Sequence, residues 1–312
     1  MIYISFIIGL FLLAFGGDTL VKGAVGLANK MNLSPLLIGI VLVGFGTSTP
    51  ELMASILAVF QNPPAPGIAV GNVIGSNIAN ILLVLGLTAA ISPVFVDKKA
   101  FARDSLFLIL STVALCIAVQ IGTINFFAGF VLDALLVFYV CYSYYSERKN
   151  KKAQKEAKKE NEEAFKGSAL KAFVITVLGI TMTMFGAKLL VDSAVKIARN
   201  FGISESIIGL TLVAIGTSLP ELATSVMASI RKQNAVAFGN VVGSNIYNAL
   251  FILGTVALLT PIRIPNDITA SLVIMACVTS LLILCGAIYK KIVPFMGFLF
   301  LSLYVGYILC LT

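Results

Sequence analysis

Apolar residues dominate the chain in long runs that are separated by short polar stretches. Ten of these runs are long enough to cross about 30 Å of hydrocarbon as helices. They lack the alternation of apolar and polar residues that the strands of a membrane barrel would show. The pattern therefore predicts an all-α polytopic membrane protein. The predicted spans are 2–27, 34–60, 67–92, 102–121, 124–146, 169–198, 204–230, 235–260, 267–288 and 293–311.

One clearly polar stretch, residues 147–168, interrupts this succession of spans. It mixes lysines and glutamates at a spacing of four residues, which suits a solvated helix. We interpret it as a linker. It divides the chain into a first five-span unit, residues 1–146, and a second five-span unit, residues 169–312.

The two units resemble each other in sequence. Ser34–Ser55 matches Ser204–Ser225, and residues 71–86 match residues 239–254. Since each unit holds an odd number of spans, the second unit must enter the membrane from the opposite side. The sequence thus predicts ten transmembrane helices in two inverted five-helix repeats. Secondary transporters have this architecture, with the binding site near the midplane where the halves meet and with broken helices around it.

The composition excludes several classes of function. Only 12% of the residues are charged, whereas a soluble domain has about a quarter. The net charge of +8 does not indicate nucleic acid, because the basic residues flank the spans. The chain has no histidine, so it cannot form an HExxH zinc site or a Ser-His catalytic pair. We expect no enzyme activity and no covalently bound cofactor.

Lysine and arginine predict the orientation of the spans. One set of alternate loops is rich in them, including residues 93–101 and the linker, whereas residues 61–66 have none. The rich side should face the cytoplasm. Both termini then lie outside the plasma (inner) membrane of a prokaryote. The first apolar run lacks a basic n-region and is expected to be a transmembrane helix rather than a signal peptide.

A polar motif occurs once in each half, inside otherwise apolar sequence. Residues 44–51 read Gly-Phe-Gly-Thr-Ser-Thr-Pro-Glu, and residues 214–221 read Ala-Ile-Gly-Thr-Ser-Leu-Pro-Glu. A carboxylate at the centre of a membrane helix costs roughly 2.5–3.5 kcal/mol. No lysine or arginine lies near either motif in sequence. Glu51 and Glu221 therefore indicate a bound cation or a proton, rather than two permanently protonated packing groups.

The spacing of the polar residues gathers oxygen atoms around each glutamate. Thr47, Ser48 and Glu51 share one helix face, and Pro50 should free carbonyls around residues 44–47. A second segment in each half, Gly-Asn-x-x-Gly-Ser-Asn-Ile-x-Asn, adds side chains four residues apart. Such hard donors suit Ca²⁺ or Na⁺ and do not suit Zn²⁺ or copper. The remaining residues of these faces are Asn72, Ser76, Asn80, Thr217, Ser218, Pro220, Asn240, Ser244 and Asn248.

These paired motifs resemble the repeats of the calcium/cation antiporter superfamily, and most closely its prokaryotic sodium/calcium exchangers. The resemblance covers nearly the whole chain. It implies a core of spans 2, 3, 7 and 8, across which spans 1 and 6 slide. It implies that Ca²⁺ is held by Glu51, Glu221 and the carbonyls of Thr47 and Thr217. It also implies flanking Na⁺ sites at Ser48, Ser76, Ser218 and Ser244 and at the carbonyls of Gly44 and Ala214.

One departure concerns Asn248, where several sodium/calcium exchangers have aspartate and the potassium-dependent branch resembles them. Here Asn80 and Asn248 are both neutral. This disfavours potassium coupling. The predicted function is Na⁺/Ca²⁺ antiport in a lipid bilayer, by a chain that could act as a monomer. Ca²⁺/H⁺ antiport through the same glutamates is the alternative. A channel or a membrane enzyme is disfavoured, because the polar faces are local and no nucleophile has another base.

Further acidic residues lie in the spans. Asp18 and Lys22 in span 1 align with Lys188 and Asp192 in span 6, with the charges exchanged. We expect ion pairs at both places. Asp133 in span 5 aligns with Leu301, and the sequence assigns it no role.

Overall fold

The computed structural model describes residues 2–62, 64–95, 98–149, 167–202, 214–264 and 268–311, and most of them are helical. Eight helices are long and apolar enough to cross a membrane, and two shorter apolar helices accompany them. Their positions confirm the prediction of a polytopic helical membrane protein. Spans 1 to 10 are Ile2–Met31, Pro35–Phe60, Pro66–Ile91, Lys98–Ile121, Phe126–Lys149, Ala169–Asn200, Leu219–Ile230, Asn234–Leu259, Thr269–Tyr289 and Pro294–Leu311.

Two parts of the predictions fall outside the described residues. One is the predicted start of span 7, residues 204–213. The other is most of the predicted linker, residues 150–166. The division into 1–146, 147–168 and 169–312 therefore stays a prediction.

Two short sheets join the halves reciprocally. Strand β1 (Val94–Phe95) pairs with β4 (Lys291–Ile292), and β2 (Thr123–Ile124) pairs with β3 (Ile262–Arg263), both antiparallel. The alignment of the halves matches β1 with β3 and β2 with β4. The two strand pairings are therefore equivalent. This is expected when two halves of related sequence pack against each other.

Span 2 crosses span 8 at the centre of the molecule, and glycines allow the contact. A methyl group built on Gly239 would lie 2.5 Å from the Leu36 carbonyl oxygen, and one on Gly243 would lie 2.8 Å from Ile40 Cα. The methyl group of an alanine is too large for either place. Small residues are the usual means by which membrane helices approach closely.

Spans 1 and 6 pack along each other through a second set of glycines. A methyl group on Gly23 would lie 2.5 Å from the Thr176 nitrogen, and one on Gly186 would lie 2.5 Å from the Leu13 nitrogen. This pair of helices lies against the core formed by spans 2, 3, 7 and 8. Span 1 contacts the Leu219–Ile230 helix much more extensively than span 6 contacts the matching helix, Thr49–Phe60.

The start of span 2 is fixed by a contact with the end of span 5. Ser34 caps the helix by accepting the Leu37 N–H at 3.0 Å. Its own N–H and hydroxyl donate to the Glu147 carboxylate at 3.2 and 2.7 Å. Arg103 lies 3.8 Å from that carboxylate and also pairs with Asp104. The helix that carries the first motif is therefore held at its beginning by charged residues.

Candidate ion-binding site

Both motifs break their helices at the same point. Ser48 has φ −82° and ψ 4°, and Ser218 has φ −85° and ψ 3°. The helices resume at Thr49 and Leu219, so that Pro50 and Pro220 take early positions where a missing N–H does no harm. Each break places one glutamate in the first turn of the new helix.

Pro50 was expected to free the Gly44 carbonyl from its helical hydrogen bond, and for this carbonyl the prediction is wrong. Ser48 N–H donates to Gly44 O at 3.1 Å, so this carbonyl keeps a helical partner. The reason is that Pro50 lacks only its own N–H, whereas Ser48 retains one. The Ser244 hydroxyl also donates to Gly44 O, at 3.4 Å, which brings span 8 to the break in span 2.

The two glutamates are completely buried, each with 0% exposure. They are near enough for their charges to repel each other. Glu221 Oε1 accepts the hydroxyl of Ser48 at 3.2 Å. The Ser244 hydroxyl lies 3.4 Å from both Glu221 Oε1 and Gly44 O and donates to one of them at a time. Within the described residues, Glu221 Oε2 and both oxygens of Glu51 have no hydrogen-bond partner. Three carboxylate oxygens are thus left for a ligand.

One matched pair of amides braces the helices that carry the glutamates. Asn72 Nδ2 donates to the Glu51 carbonyl at 3.1 Å and to Ser55 Oγ at 3.2 Å. Asn240 Nδ2 donates to the Glu221 carbonyl at 3.3 Å and to Ser225 Oγ at 3.0 Å. The N–H groups of these amides donate to protein oxygens. Asn240 Oδ1 in addition accepts the Thr47 hydroxyl at 3.0 Å, across the two halves.

Asn80 and Asn248 form a second matched pair, and in contrast to the first pair their amide groups have no described hydrogen-bond partners. Each is fully buried and is the first residue of a π-helical segment, Asn80–Leu85 or Asn248–Ile252. Neither side chain has a hydrogen-bond partner in the described part of the chain. The Ser218 hydroxyl is buried and unpartnered as well. Because buried polar groups nearly always find partners, such a set indicates a place for ions or water.

The donor set fits hard cations. Carboxylate, hydroxyl, amide and carbonyl oxygens are the ligands that Ca²⁺ accepts in numbers of six to eight. The described residues contain no group of three or more His, Cys, Asp and Glu side chains that could hold a metal ion. Any ion here would depend on two carboxylates and on neutral oxygens. The two buried serines of the second motif segments, Ser76 and Ser244, lie on the same helices as these amides.

Comparison with known proteins gives the family. A model described as "Sodium/calcium exchanger protein" matches residues 1–145 and 171–312. The chain belongs to this family. The resemblance inferred from the repeated motifs is confirmed.

Relatives and a solved structure match this exchanger-family protein over nearly its whole length. Membrane protein MJ0091 of Methanocaldococcus jannaschii is 39% identical over 300 residues, 96% of this chain and 94% of the relative. The sodium/calcium exchanger MaX1 of Methanosarcina acetivorans is 30% identical over 349 residues, covering 100% of this chain and 99% of MaX1. A structure of the sodium-calcium exchanger NCX_Mj matches with a TM-score of 0.81 and 36% identity, over 96% of this chain and 95% of that one.

Sequence reasoning missed several polar residues beside the site of this family member. Asn77 Nδ2 donates to the Asn245 carbonyl at 3.2 Å, so equivalent residues of the two halves meet. Both follow the motif serines, and their repetition was the available signal. Tyr247 donates its hydroxyl to the Val41 carbonyl at 3.3 Å, within the π-helical segment of span 2. Its counterpart is Ala79, so no repeat could reveal it.

The two halves differ at the site in exposure. Thr47 has 0% exposure, whereas Thr217 is half-buried. Span 6 lies over both breaks, since a methyl group on Gly216 would lie 2.7 Å from Val191 Cγ2 and Gly46 packs against Ile180. For Ala214, which follows the undescribed residues 203–213, only the backbone is described. Thr217 is thus the more exposed of the two motif threonines.

The expected ion pairs also differ between the halves. Asp18 pairs with Lys22 at 2.8 Å and with Arg231, just after span 7. Lys188 and Asp192 are exposed and form no ion pair with each other in the described structure, so this half of the prediction is wrong. The end of span 2 offers them no neighbour equivalent to Arg231, because the aligned position is Gln61.

Proposed function

We propose that the protein is a secondary-active antiporter that exchanges Na⁺ for Ca²⁺ at one site shared by its two halves. The observation that carries the proposal is the pair of fully buried glutamates, one from each half, with three oxygens that lack partners in the described structure. MaX1 and NCX_Mj, the relatives named above, are sodium/calcium exchangers.

Calcium would bind between Glu51 and Glu221. Two negative charges match one divalent cation, and a bound Ca²⁺ would relieve the repulsion between the two carboxylates. The carbonyls of Thr47 and Thr217, at the two helix breaks, would complete the ligand set together with side-chain oxygens. Ca²⁺ tolerates such irregular sets, with oxygens at 2.3–2.6 Å.

Sodium would use the neutral oxygens around the same carboxylates. A monovalent ion gains less from charge and therefore depends more on hydroxyls, amides and carbonyls. Since Na⁺ and Ca²⁺ would need the same two negative charges, the binding of one opposes the binding of the other. The proposed Na⁺ ligands are Ser48, Ser76, Ser218, Ser244, Asn80 and Asn248 with the carbonyls of Gly44 and Ala214.

Exchange then requires that the site open to each side in turn. Two bare carboxylates would carry an uncompensated charge through the dry barrier, whereas a filled site is neutralised. Spans 1 and 6 would slide across the core only with a filled site. This condition would make the protein an exchanger and not a leak.

The ions would cross a prokaryotic plasma membrane in which both termini face outside. The basic loops 93–101 and 147–168 would face the cytoplasm. Chemical labelling of single cysteines at positions 64 and 155, in a background without the native cysteines, tests this arrangement. Labelling of both positions from the same side would contradict it.

Ca²⁺/H⁺ exchange is the second candidate, because the unpartnered oxygens of Glu51 would suit a proton as well. The deciding experiment is calcium uptake into proteoliposomes under an imposed Na⁺ gradient or an imposed pH gradient. We expect uptake to follow the Na⁺ gradient. Uptake that follows only the pH gradient would replace the proposal with the second candidate.

A further inference from the structure

Asp133 is an acidic residue of span 5 that the proposed ion site does not use. It is the eighth residue of the helix Phe126–Lys149 and lies roughly 10 Å along the axis from its start. Its Oδ1 atom is buried, and no described residue forms a hydrogen bond with that atom. An acidic group at this depth in an apolar helix is unusual and commonly has a function.

Asp133 fills a notch in the surface of span 8. Spans 5 and 8 approach closely here, since a methyl group on Gly129 would lie 2.8 Å from the Gly254 carbonyl oxygen. Asp133 Oδ1 packs directly against Gly254, where any β-carbon would collide with it. The buried oxygen therefore faces the Gly254 backbone, whereas Asp133 as a whole is half-buried.

The other half of the protein contains the same notch with a different occupant. Gly86 and Gly297 make the equivalent close contact, with 2.6 Å between a methyl group on Gly297 and the Gly86 carbonyl oxygen. Leu301, which aligns with Asp133, lies against Gly86, with its Cγ 3.3 Å from a methyl group built there. An apolar side chain thus satisfies the packing. The carboxyl group must serve a purpose other than filling space.

Among the described residues of spans 4, 5 and 8, no cation lies beside Asp133. The facing part of span 8, residues 248–259, has no titratable side chain. On span 4 the charged residues lie within 98–104, at the far end of the antiparallel helix and roughly 15 Å away along the axis, and Cys116 is the other titratable residue. On span 5 itself, the first titratable residue after Asp133 is Tyr139, whose hydroxyl donates to Asp104 at 3.2 Å.

We propose that Asp133 is a proton-binding site inside the membrane, separate from the ion site. In this setting the charged form of the Asp133 carboxyl group is disfavoured by roughly a hundredfold relative to the same group in water. Asp133 holds its proton while spans 5 and 8 pack at Gly254. It releases the proton only when this contact loosens and water enters. Because span 8 also carries Asn248, two turns earlier, protonation favours one packing of the helix that supports the ion site. The inference does not depend on which ions are exchanged.

Carbodiimide labelling tests the proposal directly. Dicyclohexylcarbodiimide reacts with protonated carboxyl groups in apolar surroundings, and peptide mass spectrometry of the protein in lipid locates the product. We expect labelling of Asp133 at mildly acidic pH that declines as the pH rises towards neutral and is unaffected by Ca²⁺ or Na⁺. Absence of label on Asp133 at every pH would overturn the proposal. Protection by Ca²⁺ or Na⁺ would overturn it too, since the residue would then bind a metal ion.

The variant Asp133→Leu provides a second, independent test, because it copies the packing of Leu301. It should fold and keep a pH-independent contact. Protonation favours the folded wild-type contact, so the thermal stability of the wild type relative to Asp133→Leu should fall as the pH rises. Asp133→Asn, which keeps the shape without titrating, should behave like the leucine variant. Identical pH profiles for all three proteins would contradict the proposal.

Discussion

At the scale of single residues, hydrogen bonds separate the polar side chains of the site into two groups. The amide N–H groups of Asn72 and Asn240 donate hydrogen bonds to backbone carbonyls and to serine hydroxyls. Asn80 and Asn248 have no hydrogen-bond partner among the described residues. The first group holds the glutamate-bearing helices in place, and the second group is available to ions. The sequence placed all four on the polar helix faces and named Asn80 and Asn248 among the expected ion ligands, but it could not show that Asn72 and Asn240 hold the glutamate-bearing helices.

The bracing group makes a prediction about stability. Asn240→Ala leaves Ser225 Oγ and the Glu221 carbonyl without this donor in a buried site, which should lower the free energy of unfolding by about 1–3 kcal/mol. Thr224→Val is the control on the helix that carries Glu221 and Ser225, since the buried Thr224 hydroxyl has no described partner to lose. Thermal unfolding in detergent measures both variants. Equal stability of Asn240→Ala and the wild type would contradict the bracing role.

The serines make a prediction about ion competition. Ser48→Ala, Ser76→Ala, Ser218→Ala and Ser244→Ala each remove one neutral oxygen, and a monovalent ion depends on such oxygens more than a divalent one does. We expect the Na⁺ concentration that displaces bound Ca²⁺ to rise by about tenfold for each variant, with a smaller change in Ca²⁺ affinity. Titration of Na⁺ against Ca²⁺-loaded protein measures this. Unchanged competition in all four variants would refute the assignment.

At the scale of elements, apolar length predicted the helices, because each must span the hydrocarbon. The proline in each motif predicted the helix breaks. Hydropathy cannot reveal the π-helical segments of spans 2, 3 and 8, since one extra residue in a turn leaves the composition unchanged. The Tyr247–Val41 bond and the Asp18–Arg231 ion pair were equally inaccessible. They depend on which helices pack together, and neither has a counterpart in the repeat.

The crossing of spans 2 and 8 makes a prediction at this scale. Gly239→Ala places a methyl group 2.5 Å from the Leu36 carbonyl, so the helices must separate and the bonds between the Gly44 carbonyl and span 8 must weaken. We expect a loss of stability of about 1–3 kcal/mol, as for overpacked cores, together with weaker Ca²⁺ binding.

Gly306→Ala is the control for this change, because Gly306 is exposed on span 10 and a methyl group there meets no described atom within 4 Å. Its stability should stay equal or rise slightly, since alanine favours a helix. A Gly239→Ala protein as stable and active as Gly306→Ala would show that close approach is unnecessary.

At the scale of the whole molecule, the two halves carry matched motifs but unequal surroundings. Span 1 packs on the end of span 7 and is tied to it by Asp18 and Arg231, whereas span 6 makes fewer contacts with span 2. Thr217 is more exposed than Thr47. We interpret these differences between the halves as those of one end state of the proposed sliding.

A crosslink between span 1 and the core tests the sliding. A β-carbon on Gly17 would lie 3.1 Å from the carbonyl carbon of Ala223, so cysteines at these two neighbouring positions are candidates for a disulfide bond. In a background without the native cysteines, the bond should stop exchange while leaving Ca²⁺ binding intact, and a reductant should restore exchange. Each single-cysteine variant is the control. Normal exchange by the crosslinked protein would place the moving part elsewhere.

The central claim is that one site holds both ions between the glutamates of the two halves. Equilibrium binding of radioactive calcium to the purified protein tests it most directly. We predict saturable Ca²⁺ binding that Na⁺ displaces competitively, and its loss in both Glu51→Gln and Glu221→Gln, with both variants still folded. Wild-type Ca²⁺ affinity in either variant, or Ca²⁺ binding that Na⁺ does not displace, would contradict the claim.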